Sequence, residues 1–196
     1  MVQALRDAGR WDEALAMANN AIQLLTPHLD TAPEDWRGTV GALEAEKALV
    51  HARRGRHGDA WRHWENADRI AAMLGPRYRH VQSSFSTAIM SAHATTLGVE
   101  LQRAGEALRS AESFDPATIA SVPRRSRHLI EVARAYHQRG DRTATLALLE
   151  RSETTASETI RYNGHARDMM RGMLKQPPAG EKQRVRRLGH QLGIDE

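Results

Sequence analysis

The sequence predicts an all-α chain built of antiparallel helix pairs stacked side by side. Three observations carry this. Apolar residues recur at helical spacing in almost every segment, while two-residue alternation is nearly absent. Aromatic residues make up only 5% of the 196, so Ala and Leu must fill most of the core, which suits closely packed helices better than a sheet. Finally, "GRWDEALAMANNA" from Gly9 to Ala21 aligns without a gap on "GRHGDAWRHWENA" from Gly55 to Ala67, an offset of 46 residues.

Taken in order, residues 1–8 supply only the tail of a helix, so "GRWDEALAMANNAI" is a turn plus the second helix of a pair whose first member is mostly missing. The expectation is a fragment boundary at the N-terminus. "TPHLDTAPED" at 26–35 breaks the chain, with Thr31 or Asp35 as N-cap and Pro33 near the first turn of a long helix over 34–54. "RRGRHGD" at 53–59 turns it back, and Ala60, Trp64 and Ala67 mark the second helix. After "MLGPRY" at 73–78 a further lengthened helix is expected around 77–102. "GEALRSAESF" then places Ala107 at an offset of 47 from Ala60, behind a degenerate turn. "FDPAT" at 114–118, with Asp115 as a cap, and Ser121 with Pro123 introduce the clearest unit, "RHLIEVARAYHQRGDRTATLALLERS". "QPPAG" at 176–180 separates a closing helix. The predicted organisation is one repeat domain over 1–176 and a linker with a capping helix over 177–196, about seven to nine helices in all.

The pattern has a packing logic. Ala or Gly at helix crossings lets the axes approach to about 8–10 Å, and glycine at the turn ends a helix in the left-handed region at little cost. One pair cannot bury its apolar face alone, so neighbours must stack into a solenoid.

On these residues the chain resembles tetratricopeptide repeat (TPR) proteins. Leu129, Val132, Ala133 and Tyr136 fall on the large, large, small, aromatic pattern of a first helix, with Gly140 at the turn and Leu149 on the second helix. Thr145 stands where alanine is usual, and His51 where an aromatic is usual. Offsets of 46 and 47 exceed the usual period of about 34, so the array should be irregular. A narrower resemblance rests on "AGEALRSAESFDP", the run from "SVPRRSRHLIEVARAYHQRGDRTATLALLERSE" through "IRYNGHARDMMRGML", and "RVRRLGHQLGI". These are similar to the C-terminal helical region of actinobacterial XRE-like helix-turn-helix transcriptional regulators. That resemblance implies a region that senses a ligand or mediates assembly, behind an N-terminal DNA-binding domain absent from this chain.

Composition narrows the chemistry. Apolar residues at 40% and charged ones at 27% argue against disorder. The absence of cysteine removes disulfides, thiolate metal sites and cysteine nucleophiles, and a cytoplasmic protein is expected. No run is long and apolar enough to span a membrane. The net charge of +4 is uneven: residues 121–196 carry fifteen basic and nine acidic side chains, an asymmetry able to steer an acidic partner. The ten histidines, among them His57 and His63 six apart, show no metal-ligand spacing, and no nucleophile elbow, P-loop or dinucleotide fingerprint occurs. The chain reads as a binding module and not an enzyme, with no metal and no cofactor.

The candidate site is a groove lined by first helices. Arg127, Ile130, Arg134 and His137 form one stripe turned away from the packing residues, two guanidiniums flanking an aliphatic as a clamp for a carboxylate. Leu49, Arg53, Ile89, His93 and Thr96 would continue that surface. Trp64 and Trp11 coincide with packing positions, whereas Trp36 has no repeat counterpart and is a candidate for an interface. The expected partner is a peptide, small molecule or protein in the groove, a homodimer is open, and DNA is contacted only through the missing domain. Arg184, Arg186 and Arg187 should lie on the solvated side of the capping helix, and acidic pairs such as Glu44 with Glu46 read as surface ion pairing. The alternative function is a stand-alone scaffold joining proteins.

Overall fold

The computed structural model describes residues 1–194, so the last two residues of the 177–196 segment lie outside the described residues. Every regular element among the described residues is helical: eleven α-helices and two short 3-10 turns. The number exceeds expectation partly because Ala156, extended at φ −158° and ψ 90°, cuts a five-residue helix away from the one before it. The helices form two compact units, Met1–Leu101 and the part from Gln102 onward.

The first unit contains α1 (Val2–Asp7), α2 (Trp11–Leu25), a 3-10 turn (Thr26–His28), α3 (Glu34–Arg53), α4 (His57–Leu74) and α5 (Thr87–Glu100). α3 and α4 make the most extensive pair, with α2 on one side of α3 and α5 against both. Ala48, Leu49, Ala52, Ala60 and Leu97 form one buried cluster there, and Ala45, Ala67, Ala71, Phe85 and Met90 another. Trp64 joins both, its indole Nε1–H donating to the Met90 carbonyl at 2.9 Å. Trp11, by contrast, is 36% exposed, so the packing expected for it does not occur.

The long helix expected over 34–54 is present, but Pro33 and not Thr31 or Asp35 stands at its N-cap. The second lengthened helix is shorter than expected, because 77–86 is loop. Its serines explain the difference. Ser83 donates through its N–H to the His80 ring at 3.1 Å, and Ser86 accepts from the Ile89 N–H at 3.4 Å, so α5 cannot start earlier. Phe85, only 2% exposed, is carried by this loop onto α3. Gly41 permits it: a Cβ there would collide with the Phe85 ring.

The second unit contains α6 (Ala104–Glu112), a 3-10 turn (Pro116–Thr118), α7 (Val122–Gln138), α8 (Arg142–Thr155), α9 (Ser157–Arg161), α10 (Gly164–Lys175) and α11 (Lys182–Gln191). Leu146, Leu149, Ile160, Met170, Met173 and Leu188 are all at most 1% exposed and share one core. Ser126 and Ser152 lock the N-terminal end of α7 to the C-terminal end of α8, their hydroxyls 2.7 Å apart and each also bonded to the other's carbonyl. Asp141 and Asn163 cap α8 and α10 through the N–H groups of Ala144 and Ala166. α11 buries Val185 and Leu188, and Arg184 and Arg187 do not point to solvent alone: both donate to Glu150 of α8. Those bonds, Arg184 first, hold the Glu150 carboxyl below its usual range.

One turn recurs through both units. Gly9, Gly55 and Gly140 take φ of +73°, +69° and +79°. In each case the following N–H closes back to the carbonyl five residues earlier, Arg56 to His51 at 2.9 Å and Asp141 to Tyr136 at 3.0 Å. This is the Schellman closure, which needs a left-handed residue and so favours glycine. In the degenerate copy Gln102 adopts the same conformation at φ 59°. Five residues beyond each turn stand Ala14, Ala60, Ala107 and Thr145, all 0% exposed. Thr145 fits because its hydroxyl donates to the Asp141 carbonyl at 2.7 Å, leaving no unpaired polar atom at the crossing.

Candidate functional site

The predicted stripe on α7 does not form a surface. Arg127 and His137 are exposed, but Ile130 between them is fully buried in the core with α8, α10 and α11. α9 and α10 pack on α7 and cover the middle of the face assigned to the groove. Arg134 is half-buried and donates to Glu131 at 2.7 Å, and Glu131 is itself 6% exposed, so this guanidinium is committed to a structural pair. In the first unit Leu49 and Ile89 are buried, which corrects their assignment to a surface. Arg53 donates to Asp7 at 3.0 Å and to the Arg6 carbonyl, holding α1 on α3. His93 and Thr96 are half-buried, and the Thr96 hydroxyl returns to the Ala92 carbonyl. Trp36, 39% exposed, stands edge-on to His28 with ring centroids 6.1 Å apart.

The structure gathers polar chemistry elsewhere, at places fixed by the turn register. Counting back from Gly55, α3 presents Glu44, Lys47 and His51 along one stripe, and α4 contributes Asp59 and His63. The Glu44 carboxylate accepts from Lys47 Nζ at 2.9 Å and from His63 Nδ1 at 2.6 Å. The His51 and His63 rings stack at 5.1 Å with 9° between their planes. Glu44 is only 8% exposed, so the surface pairing expected for it is wrong, and its neighbour Glu46 instead receives Arg6. Burial pushes the Glu44 carboxyl up, yet the bonds from His63 and Lys47 more than offset this and bring it down to about 2. Burial and the His63 charge hold His51 below its ordinary value.

At the same distances from Gly140, the second unit carries Leu129, Val132, Tyr136 and Leu148. There the stripe is apolar and floors a cleft of about 210 Å³. Leu108, Ala111 and Glu112 of α6, Pro116 of the 3-10 turn and Arg151 of α8 extend its lining. His128 also lines it. This imidazole is 3% exposed, and neither ring nitrogen has a hydrogen-bond partner among the described residues. Burial lowers its pKa to about 4, so the ring is neutral at pH 7, with one nitrogen able to donate and the other to accept. The Phe114 ring covers it, centroids 5.0 Å apart. The sequence offered a signal for this difference: aligning the two clear units on their turn glycines sets Glu44, Lys47 and His63 opposite Leu129, Val132 and Leu148.

Among the described residues no group of three or more His, Asp or Glu side chains is placed to hold a metal ion, and no helix is long and apolar enough to cross a membrane. No known family and no curated protein matches the chain.

Proposed function

We propose that the chain is a TPR-like binding module, the ligand-sensing and interaction region of a bacterial regulator of the XRE-like kind. The resemblance of its C-terminal half to such regulators supports the setting, and the glycine turn closure shared by α1–α2, α3–α4 and α7–α8 supports the repeat reading. The observation that carries the reading is the apolar cleft floored by α7, with a buried imidazole whose nitrogens are unpaired among the described residues. A ligand there acts by binding one arrangement of the regulator more tightly than another, since only a difference in affinity shifts an equilibrium.

The test uses the natural reading frame expressed whole, with the DNA upstream of its own coding sequence. The whole product should retard that DNA. Leu148→Trp, which puts a larger side chain into the cleft lining, should change the DNA affinity by at least about fivefold, a typical coupling, with helicity unchanged. Unaltered affinity in Leu148→Trp would show that the second unit is not the sensing region. If the whole product retards no such DNA, the stand-alone scaffold replaces the regulator.

A further inference from the structure

Building on the second unit as a binding module, we infer that its cleft takes a phenol-class ligand, a small uncharged aromatic ring whose hydroxyl pairs with His128. Size sets the first limit. A dry apolar cavity of about 150 Å³ accepts benzene, and drug-sized ligands use about 300–1,000 Å³; at about 210 Å³ the cleft suits one ring with a substituent or two. Lining sets the second. Leu108, Leu129, Val132 and Leu148 offer apolar contact, and the two charged lining residues, Glu112 and Arg151, are of opposite sign, so an ionised ligand meets a like charge beside any opposite one and gains no net attraction.

His128 selects the polar group. Its ring is held neutral, so a carboxylate finds no cation there and an ammonium no anion. A hydroxyl both donates and accepts, and so satisfies whichever nitrogen it meets. Leaving a buried polar atom unpaired is costly, so a ligand that pairs it gains what an apolar ring of equal size does not. The nitrogens are closed to solvent. The hydroxyl reaches them as the Phe114 ring turns aside, which its half-exposed place in the loop between α6 and the 3-10 turn permits.

The experiment titrates the full chain at pH 7 with p-cresol and, separately, toluene, reading Leu and Val methyl and His ring signals by NMR. The Leu129, Val132 and Leu148 methyls should shift with p-cresol, whose Kd should be at least about tenfold below that of toluene, and the His128 ring signals should move with p-cresol alone. His128→Leu should bring the two Kd values within about twofold, His128→Gln, which keeps a donor and an acceptor, should retain the preference, and Phe114→Ala should bind p-cresol at least as tightly. Equal wild-type Kd values, cleft methyls silent to p-cresol, or a preference surviving in His128→Leu each overturn the assignment. Should His128→Leu not fold, the wild-type comparison and the His128 ring signals decide alone. The DNA measurement with Leu148→Trp is independent, so a wrong ligand class and a wrong module give different results.

Discussion

Glu44 Oε2 lies 2.6 Å from His63 Nδ1 across the α3–α4 pair, at register positions that hold Leu129 and Leu148 in the α7–α8 pair. The same helix-pair geometry thus accepts either an ion network or an apolar stripe. Removing one partner leaves the buried Glu44 undercompensated, so His63→Ala should lose about 2 kcal/mol. Importing the apolar set, Glu44→Leu with Lys47→Val and His63→Leu, should leave stability equal to or above wild type, because apolar replacements of buried ion networks are often neutral or favourable. Urea unfolding at pH 7 measures both; a triple variant weaker than His63→Ala would show that the network is itself the better packing.

His128 and Glu44 act on the acid response in different windows. His128 titrates near 6.5 when unfolded and at about 4 when folded. The unfolded chain therefore takes up its proton first, and stability falls as pH drops from about 6.5 to 4, then levels off. The loss at pH 5 should be about 2 kcal/mol. Glu44, at about 2 folded against 4.5 unfolded, contributes stability that is present above about 4.5 and lost as pH falls towards 2. Stability measured against pH in His128→Leu should show a smaller upper decline, the remainder belonging to His51, and keep the lower one. A variant profile parallel to wild type between pH 6.5 and 5 would refute the assignment to His128.

Gln102 adopts at φ 59° a conformation that Gly55 and Gly140 reach freely. Side chains in that region cost about 1 kcal/mol or more. Gln102→Gly should therefore raise the unfolding free energy by roughly 0.5–1 kcal/mol, and Gly140→Ala lower it by about 1 kcal/mol. Urea unfolding of the two variants checks this, and changes of the same sign would refute it.

Glycine inside a helix usually weakens it by about 1 kcal/mol relative to alanine. Gly172 of α10 has open space where a methyl would sit, so Gly172→Ala should gain that amount. At Gly41 the methyl would meet the buried Phe85 ring, so Gly41→Ala should instead lose about 2 kcal/mol through overpacking. Thermal unfolding of the two variants should shift in opposite directions.

Helices, turns and crossing residues were legible because each depends on local chemistry. Glycine at the turn and a small residue five positions later are spacings a sequence displays directly, and Gly55, Ala60 and Ala107 stand where that spacing puts them. The groove was not legible, since the stripe from Arg127 to His137 is solvent-facing only if nothing packs on it. Ile130 became core because α9 and α10 fold back over α7, a tertiary event with no mark in the stripe itself. Similarly, nothing local distinguishes Glu44, which is buried, from Glu46, whose side chain is 22% exposed.

The recurrent turn also divides the chain into parts that can change length and parts that cannot. At Gly55 and Gly140 the closure and the buried residue five positions on are coupled, so one inserted residue between them would swing the second helix off its partner. At the opposite ends of the pairs the connections differ in length, over 26–33, 75–86 and 113–121, and two of the three carry a 3-10 turn while the third does not. Each pair behaves as a hairpin clip with a closed end and an open one, and insertions that carry new recognition segments belong at the open ends.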